Sequence, residues 1–288
     1  MKSVAVYYFS GTGNTKIIAE MIAASLAELE CKVDLIRIED VLKGRRPLSA
    51  GEYDMVGIGC PVIGFTSPSL VSRFIRLLPR ENGMKTFVFR TAGGVAPINY
   101  NASKGMIQKL KRKGYDVFHE RIFSISSNWI RRFDDDVILK LHAAAEKKTR
   151  LMAEALVKGE ARVLKTDLNL RLVMGLVSAV SSLFFRIVGQ DFKIGTSCTK
   201  CGLCVRNCPA NNITDKGGSI RFGWSCNSCL RCVYACPQQA ISLRRLTSYA
   251  VPGGYDIGKI LSAPREIPVG EKRPEPPFLK AYLVTDAL

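Results

Sequence analysis

Eight of the ten cysteines lie between positions 198 and 236 and fall into two runs with identical spacing. The first run is Cys198, Cys201, Cys204 and Cys208, and the second is Cys226, Cys229, Cys232 and Cys236. Each run reads C-x2-C-x2-C-x3-C-P. The residues beyond the fourth cysteine also repeat, as CPANNIT and CPQQAIS. An internal repeat of this kind predicts two similar halves related by a pseudo-two-fold axis.

This spacing is typical of thiolate ligands to iron–sulfur clusters. Three closely spaced cysteines wrap one cluster, and the fourth of each run ligates the other cluster in two-cluster ferredoxins. The predicted ligand sets are Cys198, Cys201, Cys204 and Cys236 for one cluster, and Cys226, Cys229, Cys232 and Cys208 for the other. The alternative, structural zinc, usually takes C-x2-C pairs separated by a longer loop and fits the repeat poorly. Residues 196–246 resemble a bacterial ferredoxin, which implies two [4Fe-4S] clusters.

The chain alternates between strand-like and helix-like segments from its first residue to position 160. Short apolar runs predict strands at 4–9, 33–38, 54–60, 86–91 and 117–125. Amphipathic spacing predicts helices at 16–28, 69–78, 103–113 and 134–158. This alternation predicts a parallel sheet with helices on both faces, joined by right-handed crossovers.

A loop rich in glycine and hydroxyl groups joins the first predicted strand to the first predicted helix. Its residues are Ser10, Gly11, Thr12, Gly13, Asn14 and Thr15. Backbone N–H groups at a helix N-terminus attract anions, and glycines let the chain curl around a phosphate. Lys16 stands where a dinucleotide fingerprint has its third glycine, and no G-K-[ST] of a P-loop follows. The loop favours a monophosphate, and the alternative is a tight turn that binds nothing.

This loop and the strand–helix order resemble those of flavodoxins over residues 1–160. The resemblance implies a doubly wound five-stranded parallel sheet of order 2-1-3-4-5, with FMN at the carboxyl ends of the strands. It implies that residues 10–15 hold the phosphate and that the loops after the third and fourth strands contact the flavin ring. Those loops contain Pro61, Val62, Ile63, Gly64 and Phe65, and Thr91, Ala92, Gly93 and Gly94. Phe65 and Tyr100 are the nearby aromatic residues, and Trp129 is a further candidate whose alternative role is in the core.

The whole chain resembles the flavodoxin–ferredoxin fusion proteins of anaerobic bacteria and archaea. The resemblance implies an α/β flavodoxin-like domain at 1–160 and a small α+β ferredoxin-like domain at 196–246. A connector at 161–195 joins them, and an extension at 247–288 follows. The tail from Ser262 is rich in proline and charge, which predicts an extended segment. Trp224 is expected to pack beside a cluster.

The connector contains an apolar segment at 172–185, bracketed by Arg171 and Arg186. That is shorter than the roughly 20 residues needed to span a bilayer. We therefore expect no transmembrane span and a helix packed against one or both domains. The alternative is shallow contact with a membrane surface, which the basic balance would assist.

The chain carries a strong excess of basic residues. Lys and Arg total 42 and Asp and Glu total 25, so the formal charge is 42 − 25 = +17. Two clusters and one flavin phosphate would each contribute about −2, leaving about +11. This charge favours an acidic electron-carrier protein such as a ferredoxin. We expect no nucleic-acid binding, because the basic residues are scattered and form no recognition module. No secretory signal precedes the first strand, so we expect a reducing, cytoplasmic setting.

Three functions are compatible with these features. In the first, the protein passes electrons between one-electron carriers and FMN through the clusters, because a flavin holds one or two electrons and a cluster moves one. In the second, it is a reductase whose flavin site reduces a small acceptor such as a quinone. In the third, a flavin-free docking domain is fused to a ferredoxin. No hydrolytic triad or carboxylate pair stands out, so any chemistry belongs to the cofactors.

Overall fold

Five parallel strands form a central sheet in the computed structural model, which describes residues 1–164, 168–262 and 275–284. The strands are β1 (Ser3–Tyr8), β2 (Lys32–Arg37), β3 (Met55–Pro61), β4 (Met84–Ala92) and β5 (Tyr115–Ser124). Their order across the sheet is β2-β1-β3-β4-β5, and every neighbouring pair is parallel. The predicted fold class and strand order are confirmed.

Helices cover both faces of this sheet. They are α1 (Asn14–Glu28), α2 (Ile38–Leu42), α3 (Ser69–Leu77), α4 (Pro97–Tyr100), α5 (Lys104–Lys111) and α6 (Asp135–Lys158). Alternate residues of β1 show how the two layers arise. Val4 and Val6 join the core that includes α1 and α6, whereas Ala5 and Tyr7 join the core that includes α2, α3 and α5. From Val4 to Tyr8, β1 is thereby buried on both faces, as in other sheets covered by helices on each side.

The cysteine repeat lies in a small second region built from short elements. These are β6 (Phe192–Ile194), α8 (Leu203–Asn207), β7 (Ile213–Lys216), β8 (Ser219–Phe222), α9 (Arg231–Tyr234) and β9 (Ile241–Leu243). β6 pairs antiparallel with β9, and β7 pairs antiparallel with β8. Because β6 precedes the first cysteine run and β9 follows the second, their pairing closes the repeat on itself. The expected α+β organisation of this region is confirmed.

One long helix, α7 (Leu168–Asp191), connects the two regions. It is longer than the apolar segment seen in the sequence, because it continues through Arg186 to Asp191. By length and composition alone, Leu172–Asp191 could cross a membrane: the mean hydropathy of its most apolar window is 1.9, and 24% of that window is buried. The expectation that this segment is too short was therefore wrong. A single helix of this kind is nevertheless weak evidence for a span.

One face of α7 packs against both regions, and another face is open. Phe185 and Val188 are buried, and Gly189 lies so close to the cysteine repeat that an added Cβ would be 2.5 Å from the Cys226 Cβ. The open face carries a row of apolar side chains that are each more than half exposed, which we name the apolar stripe. Its members are Leu172, Leu176, Val180, Leu183 and Ile187. The expected packing of the connector against the domains therefore involves only one side of the helix.

The C-terminal extension folds back onto the first domain. Its described part contains α10 (Ile257–Ser262) and α11 (Leu279–Val284). The Tyr255 hydroxyl donates to Asn14 Oδ1 over 2.6 Å, and Ser124 N–H donates to the Tyr282 hydroxyl over 3.1 Å. The predicted extended tail falls largely on residues 263–274 and 285–288, which lie outside the described residues. Where the tail is described, α11 is helical and buries Leu279 and Tyr282, so it is not an extended segment there.

Replacing Tyr282 with phenylalanine tests this docking. The substitution leaves the buried ring in place and removes the acceptor for Ser124 N–H. A buried donor without a partner costs about 1–3 kcal/mol, so we expect an apparent Tm roughly 2–10 °C lower in thermal unfolding of the holo-protein. Lys280→Ala, at an exposed position of the same helix, is the control and should leave Tm unchanged. Equal melting of Tyr282→Phe and the wild type would contradict the docked position of α11.

Candidate functional site

The loops at the carboxyl ends of the strands enclose a cavity of about 430 Å³. All of the residues predicted to contact FMN line this cavity, with the exception of Gly13. Gly13 has a φ of +100° and faces away, where an added Cβ would lie 2.7 Å from Ile257 Cγ2. Three separate stretches of sequence, 10–15, 61–65 and 91–94, therefore meet at one site. This is the crevice in which open α/β sheets bind ligands.

The cavity is also lined by residues that were not predicted to contact FMN. They are Asn99, Ile125, Ser126, Ser127, Asn128 and Cys229, together with Trp129, which was only a candidate. The loop after β5 carries the polar run SSN, and its place at the end of a fifth parallel strand is the signal that could have identified it. Cys229 belongs to the cysteine repeat, and no local pattern places it beside a loop near the start of the chain.

The phosphate loop is braced by its own side chains. Gly13 N–H donates to Ser10 Oγ, and the Thr15 and Thr91 hydroxyls share a hydrogen bond of 2.7 Å. Asn14 donates through Nδ2 to Ser126 O and accepts from Tyr255, so its side chain holds the loop in place. No side chain caps the N-terminus of α1. The free backbone N–H groups of that first turn fit a phosphate, since they offer donors and the positive end of the helix dipole.

The aromatic residues around the cavity play different parts. Phe65 lines it with a φ of +61° and is 38% exposed, so one side of the cavity is open to solvent. Trp129 also lines the cavity. Its ring centroid lies 5.5 Å from that of Phe185 and 4.9 Å from that of Tyr249. It therefore serves both as cavity wall and as part of the core between the domains. Tyr100 instead packs in a neighbouring apolar cluster.

The eight repeat cysteines form no disulfide and surround two small cavities. Cys198, Cys201, Cys204 and Cys236 line the first, which we name the distal site. Cys208, Cys226, Cys229 and Cys232 line the second, which we name the proximal site. Each site thus contains three cysteines of one run and the fourth of the other, which is the crossed arrangement expected from the spacing. Cys232 lines both cavities, so the two sites share a wall.

Backbone geometry repeats around the two sites. Lys200 N–H and Ser228 N–H donate to the Sγ atoms of Cys198 and Cys226, over 3.4 and 3.3 Å. Both donors have positive φ angles, of 56° and 50°, which turn their N–H groups toward sulfur. The fourth cysteines receive similar bonds, from Asn212 to Cys208 and from Ala240 to Cys236. N–H bonds to sulfur stabilise the thiolate charge of a cluster, so this backbone fits iron–sulfur ligation.

Burial of the proximal cysteines opposes their thiolate form as long as no metal centre is bound. Burial, assisted by the neighbouring Cys229, raises the pKa of the Cys226 thiol to about 12. Burial also raises the pKa of Cys232 well above its ordinary value. A metal centre must therefore displace their protons. Among the described residues, no three Cys, His, Asp or Glu side chains are close enough to share one metal ion.

The proximal site touches the phosphate loop directly. A Cβ added at Gly11 would lie 2.7 Å from the Cys229 carbonyl oxygen and 2.9 Å from the Cys229 Cβ. Glycine is therefore the residue that lets the two loops meet this closely. The walls of the flavin cavity and of the proximal site consequently share one residue, Cys229.

Arg231 fixes this contact with its guanidinium group. Its Nε donates to Gly11 O over 3.1 Å, and its Nη2 donates to Ser10 O and pairs with Glu39 Oε1 at 2.6 Å. Burial alone would raise the pKa of Glu39, but the Arg231 charge and the hydrogen bonds from Arg37 and Arg231 outweigh it and leave that pKa lowered. One side chain therefore joins a cluster-ligating helix, the phosphate loop and a buried carboxylate of the first domain.

Substituting alanine for Gly11 should disturb both sites at once. The added methyl group overlaps Cys229, and overpacking of this size costs about 1–3 kcal/mol. If the phosphate loop gives way, FMN binds roughly 5- to 150-fold more weakly, as measured by fluorescence titration of the flavin-depleted protein. Gly105→Ala, where nothing lies within 4 Å, is the matched control. Unchanged FMN affinity in the Gly11 variant would show that the two loops do not meet as described.

Comparison with known proteins finds a match for part of each domain. Residues 191–237 match the 4Fe-4S dicluster domain family. Over 93 residues the chain is 31% identical to a flavodoxin of Megasphaera elsdenii, a match that covers 31% of this chain and 65% of that flavodoxin. It thus spans slightly less than two thirds of the curated relative it matches.

Solved structures of flavodoxins also align with the first domain. A flavodoxin from the domain Archaea is 16% identical, with a TM-score of 0.39 over 54% of this chain and 99% of that chain. The oxidised flavodoxin 1 from Bacillus cereus is 20% identical, with a TM-score of 0.39 over 55% of this chain and 98% of that chain.

Fold, site and family match together fit an iron–sulfur flavoprotein. The chain is a fusion of a flavodoxin-like domain with a 4Fe-4S dicluster domain of the ferredoxin type. Its cofactors are accordingly 4Fe-4S clusters and FMN, and the loops and thiols described above fit both groups.

Proposed function

We propose that this protein passes electrons between one-electron carriers and FMN through two [4Fe-4S] clusters, one at each crossed cysteine set. The observation that carries the proposal is the contact of Cys229 with Gly11, which joins the proximal site to the flavin cavity. The clusters supply one-electron transfer, and FMN supplies storage of one or two electrons. The chain's own residues supply the close and fixed spacing of these groups.

A continuous series of contacts supports this function. Cys201 is exposed, so the distal site begins at the protein surface. Cys232 forms the wall between the distal and proximal sites. Cys229 then separates the proximal site from the flavin cavity. The three sites therefore lie in a row, and each is separated from the next by one shared residue.

We further propose that the carrier is an acidic protein such as a ferredoxin and that the protein works in the cytoplasm of an anaerobe. The formal charge of +17 supports an acidic partner, since opposite charge speeds encounter. Eight cysteines that are spaced as cluster ligands and not paired in disulfides support a reducing compartment, where disulfides are rare. The absence of ionic-strength dependence in the reduction by a ferredoxin would contradict the electrostatic part of the proposal.

The composition of the anaerobically purified protein tests the architecture. We expect about eight irons, eight sulfides and one FMN per chain. Stepwise addition of a one-electron donor should then bleach both the cluster and the flavin absorption of the same molecule. Protein that holds iron but no flavin after anaerobic purification would favour the third function, a flavin-free docking domain. Four irons per chain would contradict the second cluster.

A second candidate function is reduction of a small apolar acceptor such as a quinone at the flavin site. The observation that favours it is the position of the apolar stripe on α7. Phe185 of the same helix packs on the flavin loop, where a Cβ added at Gly64 would lie 2.2 Å from its ring. The exposed Phe65 is the next residue of that loop. Contact of the stripe with a membrane surface would bring lipid-soluble acceptors to the open side of the cavity.

An assay with purified components separates the two candidates. The protein is reduced in the presence of a water-soluble quinone and without any downstream protein. Sustained turnover of the quinone would establish the second function and contradict a pure carrier. Reduction of the cofactors without turnover would support the first. Co-sedimentation with anionic lipid vesicles, compared between the wild type and Leu176→Gln/Val180→Gln, measures the contribution of the stripe.

A further inference from the structure

A second and larger groove reaches the proximal site. Its volume is about 800 Å³, and its walls come from α3, α5, α7 and the loop that contains Cys226. None of the described residues that line it is an aspartate or a glutamate. The groove is therefore a cationic surface next to a cluster ligand, and the flavin cavity does not include it.

Four exposed cations give the groove its charge, and we name it the basic groove. They are Arg73 and Arg76 of α3, Lys109 of α5 and Arg186 of α7. None of the four forms an ion pair with a carboxylate within the described part of the chain, whereas Lys104, which also lines the groove, pairs with the buried Glu120. Three helices thus direct uncompensated positive charge into one space.

These like charges affect one another. Burial and the nearby Arg76 charge lower the pKa of Lys109. Lys109 is held in place, because its Nζ donates to Ser72 Oγ over 2.8 Å. An anionic group in the groove would relieve this repulsion, and the cations are exposed, so they can meet an anion without first losing a buried partner.

The groove is fixed relative to the proximal site. Asn227, the residue after Cys226, accepts hydrogen bonds from Ser69 Oγ and Leu70 N–H at the start of α3. Arg73 follows one helical turn later. Trp224, expected to pack beside a cluster, is 64% exposed and lines the groove together with Cys226. An exposed tryptophan beside arginines is typical of interface residues.

We propose that the basic groove is the docking surface for an acidic electron-carrier protein and brings that carrier to the proximal site at Cys226. The inference rests on the proposed function, since it names where the carrier binds. Cations spread over three helices and open to solvent match the carboxylates of a protein surface. The chain then has two points of access, one at the groove and one at the exposed Cys201. A carrier in the groove would leave the distal site free for a second partner.

Charge reversal in the groove tests this assignment on the full holo-protein. The variant is Arg73→Glu/Arg76→Glu/Lys109→Glu. The matched control is Lys32→Glu/Arg150→Glu/Lys158→Glu, which makes the same change in net charge at exposed positions outside the groove. The probes are an acidic bacterial ferredoxin and pyrophosphate, and the Kd of each is measured by calorimetry at low and high ionic strength. Thermal unfolding and dithionite reduction check that both variants are folded and loaded.

We expect the groove variant to bind ferredoxin at least about tenfold more weakly and the control less than about threefold, with the difference lost at high salt. Equal weakening of both variants would overturn the proposal, because general charge would then suffice. Loss of pyrophosphate binding with unchanged ferredoxin binding would also overturn it in favour of a small-anion site. Because Kd needs no electron transfer, groove-dependent binding without flavin reduction would refute the proposed function and leave the docking site intact.

Discussion

Replacing Cys229 with alanine is expected to remove the proximal cluster and to disconnect the flavin from the donor. Cys229 lines both the proximal site and the flavin cavity, and its backbone contacts Gly11. Loss of one thiolate ligand should lower the iron content by about half, from roughly eight to four per chain. FMN should remain bound, because the phosphate loop does not need the thiol group of Cys229. Iron and FMN analysis, followed by rapid-mixing reduction with a ferredoxin, measures the result.

Cys201→Ala is the matched control for this prediction. It also removes one of four ligands, but from the distal site, whose exposed Cys201 lies away from the flavin cavity. We expect the same loss of iron and continued reduction of the flavin through the proximal site. Flavin reduction that survives in Cys229→Ala and disappears in Cys201→Ala would reverse the order of the two sites. Loss in neither variant would mean that the flavin receives electrons without the clusters.

Much of the fold and of the separate sites could be predicted from local sequence. Buried strands gave continuous apolar runs, so the five strands and four main helices were placed within two residues of their observed ends. Glycine and hydroxyl residues indicated the phosphate loop at 10–15, and the resemblance to flavodoxins implied the other two loops of the flavin cavity. The cysteine spacing predicted which thiols would share a cavity, since the repeat itself encodes the crossing.

The relation between the domains could not be predicted in this way. The contact of Gly11 with Cys229 joins residues that are far apart in the chain, and neither residue carries a periodic or motif signal for it. The same holds for Tyr255, whose bond to Asn14 ties the extension to the phosphate loop. The length of α7 was underestimated because Arg186 was read as the end of an apolar segment. In the structure it is an exposed residue within the helix.

Arg231→Met is expected to destabilise the junction between the two domains. Glu39 is 1% exposed, and among the described residues it keeps Arg37 as its one ion-pair partner when Arg231 is removed. Breaking a buried ion pair from one side costs about 3–5 kcal/mol, and Arg37 limits the loss to about 3 kcal/mol. For a chain of this size that corresponds to an apparent Tm roughly 6–12 °C lower in calorimetry. Arg37→Met, which removes the more exposed partner, should cost about 1 kcal/mol or less.

The pH dependence and a double variant identify the cause of this loss. The folded state lowers the pKa of Glu39, so the ion pair stabilises the protein above the unfolded carboxyl value near 4.5 and is lost as the pH falls through the lower folded value. The Tm difference between wild type and Arg231→Met should therefore be largest at neutral pH and shrink in acid. Arg231→Met/Glu39→Gln should recover most of it, because no buried charge is left unpaired. A difference that persists in the double variant would assign the effect to the lost bonds from Arg231 to Ser10 and Gly11, and FMN affinity should then fall in both variants alike.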